Sequence, residues 1–205
     1  MCYAFRMPSA VKLKRPATYE ELCRLPDNVV GEIIDGDLYA SPRPATPHAV
    51  AGSALGGELL GPFQRGRGGP GGWWLLYEPE LHLGPDVVVP DWAGWRVERL
   101  PRIPAAPFLT LASDWVCEIL SGSTERIDRV KKLAIYAREG VKHAWLVNPL
   151  LRTLEVLRLE SGRWVLLATH EGDATLRAEP FDAIELELAL LWAAFRAEES
   201  GSEER

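Results

Sequence analysis

Two short stretches, Val87-Val88-Val89 and Trp115-Val116-Cys117-Glu118-Ile119-Leu120, are apolar almost without interruption. Strands with one wet face alternate apolar and polar residues, whereas strands covered on both faces do not, and such strands belong to sheets packed by helices. The two runs therefore predict the interior of an α/β domain. Each also carries an acid, Asp91 just past the first and Glu118 inside the second. A carboxylate among such neighbours is costly to bury without a cationic partner.

The partner is expected on the helix that follows. Thr124 is the predicted N-cap of a helix running to about Glu139, ended by Gly140. At about 100° per residue, Asp128, Lys132, Ile135 and Tyr136 share one arc, apart from the stripe Ile127, Val130, Ala134 and Ala137. Lys132 is thus the candidate partner of the buried acids, with Lys131 in reserve. Two carboxylates from neighbouring strands and a nearby ammonium can hold a divalent cation and activate water against a phosphodiester. A buried ion pair would explain the same residues without chemistry.

Around this centre the pattern is legible in pieces. Thr18 and Glu21 form a capping box that opens a short helix to about Arg24. Asp35-Gly36, between apolar arms, predicts a hairpin turn. Thr46-Pro47 supplies an N-cap and first-turn proline for a helix to about Leu60. Gly61–Gly72, rich in glycine and holding Arg65 and Arg67, reads as a loop, either a plain surface loop or a basic flap over a nucleic-acid backbone. Strands are predicted at Trp73–Leu83, Asp86–Asp91, Asp114–Leu120, His143–Asn148, Thr153–Leu159 and Arg163–Ala168, the last two joined at Ser161-Gly162. The domain is expected to span residues 18–196, after an extension at 1–17 and before a disordered acidic tail at 197–205.

Composition limits the function classes. At 205 residues and 47% hydrophobic the chain suits one domain with an ordinary core. No apolar run is long enough to span a membrane and the first residues do not resemble a secretory signal, so a cytoplasmic protein is expected. Cys2, Cys23 and Cys117 are scattered and lack zinc-site spacing. The net charge of −6 is misleading, because residues 171–205 alone carry −7 and the rest sums to +1. Nucleic acid is compatible with that balance. A phosphate-binding P-loop and a Gly-x-Ser-x-Gly nucleophile are both missing.

The segments VPDWAGWRVERLP and DWVCEILSGSTERIDRVKKLAIYAREGVKHAWLVNP, continued by LEVLRL, GRWVLLATHEGD and PFDAIELEL, resemble the Uma-type restriction endonucleases of bacteria, within the PD-(D/E)XK nuclease superfamily. The likeness covers roughly Thr18 to Trp192. It implies a restriction-endonuclease-like mixed β-sheet flanked by helices, with the C-terminal hairpin as an extension. Pro90-Asp91 would be the superfamily's PD and Glu118 its second acid, together binding magnesium or manganese. The position two residues after Glu118, usually lysine, is Leu120, and the resemblance passes that role to Lys132. Glu32, in GEIIDGDL, is implied as a further acid, and Glu80 as a weaker one. His48 stands where the family tends to carry histidine, but a first-turn histidine reads as a surface or capping residue. The expected activity is hydrolysis of nucleic acid, DNA before RNA, with a homodimer to cut both strands; a catalytically silent binding protein on the same fold is the alternative. Of eight tryptophans, Trp115, Trp145 and Trp164 fit core strands, whereas Trp92 and Trp95, beside Arg96 and Arg99, are the expected substrate contacts together with Arg65 and Arg67.

Overall fold

The computed structural model describes residues 15–42 and 45–194. The expected tail at 197–205 and most of the extension at 1–17 lie outside the described residues. Helix α1 (Tyr19–Leu22) opens on the capping box, the Thr18 amide donating to Glu21 Oε2 at 2.9 Å and the Glu21 amide to Thr18 Oγ1 at 3.3 Å. Strands β1 (Val29–Ile34) and β2 (Asp37–Pro42) form the expected hairpin, with φ of +53° at Asp35 and +77° at Gly36. Helix α2 (Thr46–Leu59) carries its proline in the first turn, but Ala45 rather than Thr46 is the N-cap and makes no side-chain bond.

Ten further strands follow: β3 (Trp73–Tyr77), β4 (Leu81–Leu83), β5 (Asp86–Val88), β6 (Trp92–Arg96), β7 (Trp115–Ile119), β8 (His143–Asn148), β9 (Thr153–Glu160), β10 (Arg163–Glu171), β11 (Thr175–Leu176) and β12 (Leu186–Glu187). Between β7 and β8 run the short helices α3 (Glu125–Ile127) and α4 (Leu133–Arg138), and α5 (Ala189–Trp192) closes the described chain. A six-stranded sheet has the order β10-β9-β8-β7-β6-β3, in which only β7 and β8 are parallel, as a helical crossover requires. The hairpin β9–β10 turns at Ser161-Gly162 and pairs through β9 with β8, so it widens this sheet directly. A second, four-stranded sheet has the order β2-β1-β5-β4. The fold is the mixed sheet with helices that the sequence implied, with a small antiparallel sheet added.

Strand β7 separates two apolar clusters. Trp115, Cys117 and Ile119 pack with α2 and the C-terminal segment, whereas Val116 and Leu120 pack with α4 and the four-stranded sheet. Glu118 shares the face of Val116 and Leu120, as strand alternation demands. On the other side Trp92 lies against α2, donating its indole N–H to Gly52 O at 3.2 Å. A Cβ at Gly56 would come within 2.6 Å of Trp92 Cζ2, so glycine permits that contact.

Further expectations required correction. The strand expected over Trp73–Leu83 is divided, because Glu78 adopts φ +45° ahead of Pro79 and sends β3 and β4 to different sheets. The strand expected to reach Asp91 ends at Val88, and Trp92–Arg96 forms a strand that the sequence had not suggested. The Val89 amide donates to Glu32 Oε1 at 2.8 Å and its carbonyl accepts Lys132 Nζ at 2.9 Å. Side chains therefore satisfy the backbone where the chain leaves one sheet for the other. The helix expected from Thr124 to Glu139 is interrupted by a π turn at Asp128–Lys132, in which the Leu133 amide bonds Asp128 O. The turn alters the helical phase, and Val130 is left 64% exposed while Asp128 and Lys132 are buried. A similar π turn at Leu60–Gln64 gives the start of the glycine-rich segment regular structure.

Candidate active site

Glu32 from β1, His48 from α2, Asp91 from the passage between sheets, Glu118 from β7 and Asp128 and Lys132 from the π turn line one cavity of about 180 Å³, with Ser41, Ser121 and Thr124 also in its wall. Each is delivered by a different constraint. Glu118 points inward because it alternates with Cys117 on a strand buried on both faces. Asp91 is placed by Pro90 and the sheet crossing, and its two oxygens are both engaged: Oδ2 accepts the Ile119 amide at 2.6 Å and Oδ1 lies 2.9 Å from His48 Nε2. The residue after Glu118 thus holds Asp91, which locks the two acids into one geometry.

Lys132 is the hub. Its ammonium lies 3.0 Å from Glu32 Oε1, 3.0 and 3.1 Å from the two oxygens of Glu118, and 3.7 Å from Asp128 Oδ1. Tyr136, one turn on, donates its hydroxyl to Glu118 Oε1 at 2.6 Å. Lys131, by contrast, is turned outward to Asp35 at 2.8 Å. The choice between the two lysines is therefore geometric, and Lys132 is the one inside.

Burial favours loss of the Lys132 proton, but Glu118, Glu32, Tyr136 and Asp128 outweigh it and hold the ammonium well above the usual lysine range. Lys132 is a fixed cation. Burial pushes the Glu118 carboxyl up against the opposing pull of Lys132, with Asp128 and Asp91 adding to the rise. The bonds Glu118 receives nevertheless all come from donors, which is the arrangement of a carboxylate. Asp128 is pushed up to about 6, first by burial and against Lys132 and its bond to Thr124. The thiol of Cys117, behind the cavity, is raised by burial and then by Asp91 and Glu118, which makes it inert.

Other sequence candidates fall elsewhere. Trp95 is fully buried, its indole N–H donating to Leu111 O at 2.9 Å, so the expected substrate contact fails. Strand β6 carries it and Arg96 away from Asp91, and Arg96 stacks 4.1 Å over the Trp73 ring. Arg99 is bound to Asp114 at 2.7 Å. Arg65 and Arg67 are exposed beyond the far end of α2, roughly 16 Å along the helix from His48 at 1.5 Å per residue, and the close of their loop pairs with Val97 rather than the cavity. Glu80 is occupied by Tyr19 and His82 at 2.8 and 2.7 Å. His48 was misread as superficial: it is 7% exposed and bonded to Asp91. Asp128, which the sequence did not single out as a site residue, is a fourth carboxylate of the cavity. Its place on the same arc as Lys132 was the available signal.

A family model described as "Putative restriction endonuclease", Uma2, matches residues 16–190. Among solved structures, a crystal structure described as a putative nuclease belonging to DUF820 from Anabaena variabilis is similar at a TM-score of 0.70 and 23% identity, over 87% of this chain and 98% of that one. At that identity the likeness speaks for the fold. Among curated proteins none matches the chain.

Proposed function

Since the chain belongs to the Uma2 family of putative restriction endonucleases, we propose that it is a metal-dependent endonuclease hydrolysing phosphodiester bonds of DNA, with Asp91 and Glu118 as the metal-binding acids and Lys132 and Glu32 beside them. The observation that carries this reading is the convergence of four carboxylates and one ammonium on a single cavity. Coulomb balance leaves that cavity with an excess of negative charge, and its donors are hard oxygens. Both properties suit magnesium or manganese. The family description is what favours DNA over RNA.

A bound divalent ion would supply Lewis acidity and offset the charge that gathers on the phosphate oxygens. The protein's share is positional. His48 Nε2 and the Ile119 amide fix the plane of the Asp91 carboxylate, and the Tyr136 hydroxyl fixes the rotamer of Glu118. Lys132 stays protonated, so it acts as a positive charge toward the phosphate or an orienting donor to water, and does not serve as a base. Cutting both strands of a duplex takes two such sites, so a homodimer belongs to the proposal, checked by light scattering with chromatography.

One observation favours a second reading, a catalytically silent protein that binds nucleic acid: among the described residues no three His, Cys, Asp or Glu side chains stand close enough together to encircle an ion. Cleavage assays over DNA and RNA, with magnesium, manganese or chelator, separate the two. The nuclease reading expects metal-dependent cutting that is abolished in Asp91→Ala and Glu118→Gln. Binding without cutting by the wild type selects the second reading, and cutting that survives Glu118→Gln rejects the site.

A further inference from the structure

Beside the cavity lies a separate groove of about 310 Å³ lined by Tyr39, Arg126, Ile127, Val130 and Lys131. Tyr39 and Ser41 alternate on the same face of β2, and Ser41 belongs to the wall of the cavity. On the facing segment Thr124 and Asp128 serve the cavity while Arg126, Ile127 and Lys131 serve the groove. The two hollows thus lie side by side between β2 and the helical segment. The groove lining itself holds no acid, in a chain whose net charge is −6.

We propose that this groove is a nucleotide subsite for the substrate strand, in which an unpaired base next to the cut lies against Tyr39 and Val130 while its phosphate is held by Arg126 and Lys131. The inference rests on the nuclease reading of the cavity. The π turn is what creates the surface, because it leaves Val130 64% exposed beside an aromatic ring. Flat aromatic faces with flanking cations are the means by which proteins hold single-stranded nucleic acid. Arg126 is exposed and has no ion-pair partner among the described residues. Lys131, with its ammonium 5.7 Å from the Tyr39 ring centre, is ion-paired to Asp35, which is 61% exposed, and is bonded as well to the Tyr39 side chain. Exposed pairs of that kind are weak, so a phosphate can displace the aspartate. A base can reach the ring face only when it is not stacked in a duplex, so the predicted substrate has an unpaired or flipped nucleotide beside the scissile bond.

The test uses two surface variants, Val130→Glu and the double variant R126A/K131A, against wild type. Binding is read by fluorescence anisotropy with a labelled 12-nucleotide single strand and a blunt duplex of the same sequence, with calcium in place of magnesium. Hydrolysis of bis(p-nitrophenyl) phosphate, a diester too small to reach the groove, is read in parallel with magnesium. The subsite predicts single-strand affinity lower by on the order of tenfold in each variant, a smaller change for the blunt duplex, and unchanged hydrolysis of the small diester. Variants that bind the single strand as wild type does, while wild type cleaves, overturn the subsite and leave the catalytic reading intact. Equal losses on the small diester also overturn it, since the substitutions would then act through the cavity. A wild type that neither binds nor cleaves any of these substrates removes both readings.

Discussion

Asp128 gives the sharpest test of the cavity's electrostatics. Its carboxyl is raised from its ordinary 3.8 to about 6, chiefly by burial. Such a group prefers its proton in the fold by about 3 kcal/mol, at about 1.4 kcal/mol for each tenfold in proton affinity. Below pH 4 folded and unfolded chains both hold the proton and nothing is lost. Between about pH 4 and pH 6 the unfolded chain releases it while the folded one retains it, so wild-type stability falls as pH rises through this window and stays reduced above it. The D128N variant has no such titration but keeps the shape. Relative to wild type it is therefore expected to gain about 3 kcal/mol between pH 4 and pH 7.5, or about 6–12 °C in Tm for a chain of this size. Urea unfolding of both proteins at the two pH values, with chelator present, measures the change. A difference that is constant with pH, or a variant that loses ground as pH rises, would show that attraction to Lys132 outweighs burial and would refute the reasoning.

Further outcomes follow from neighbouring contacts. Lys132→Met leaves Glu32, Glu118 and Asp128 without their shared cation and the Val89 carbonyl without its donor, and should cost about 3–5 kcal/mol, read by urea unfolding at neutral pH; a loss under about 1 kcal/mol would mean that the lysine is dispensable to the cluster. His48→Phe removes the donor at Asp91 Oδ1 while filling the space, and nuclease activity should fall at least tenfold with the fold retained by circular dichroism; activity equal to wild type would return His48 to a packing role. Gly56→Ala sets a methyl group 2.6 Å from Trp92 Cζ2, and overpacking of about 1–3 kcal/mol exceeds the gain of about 1 kcal/mol in helix propensity. Tm should drop by a few degrees, and a rise would contradict the close contact.

How far the sequence could be read depended on whether a signal was local. Asp35-Gly36 and Ser161-Gly162 announced their turns because positive φ is a property of the residue pair, and the structure has φ of +53°, +77°, +48° and +76° there. His143–Asn148 was legible to its ends because Gly140 stops the helix before it and a turn follows. The strand at Trp92–Arg96 was not, since the chain changes sheets at Val89-Pro90 through side chains of Glu32 and Lys132 that are remote in sequence. Missing that strand also misplaced Trp95 and Arg96, which proximity to Asp91 had made look like substrate contacts. The convergence of Asp91, Glu118 and Lys132 was anticipated from facing patterns and from the resemblance together. The entry of His48 was signalled by the resemblance alone, because nothing in a first-turn histidine tells which element its ring will meet.

The joint at Val89 has an evolutionary corollary. The side chains fastening the two sheets to each other, Glu32 and Lys132, are also ones proposed for chemistry, so on that proposal the machinery and the scaffold cannot drift independently. A lineage that abandoned cleavage by substituting Lys132 or Glu32 would also unfasten its own seam, and would have to refill it with apolar bulk before the lost activity became tolerable.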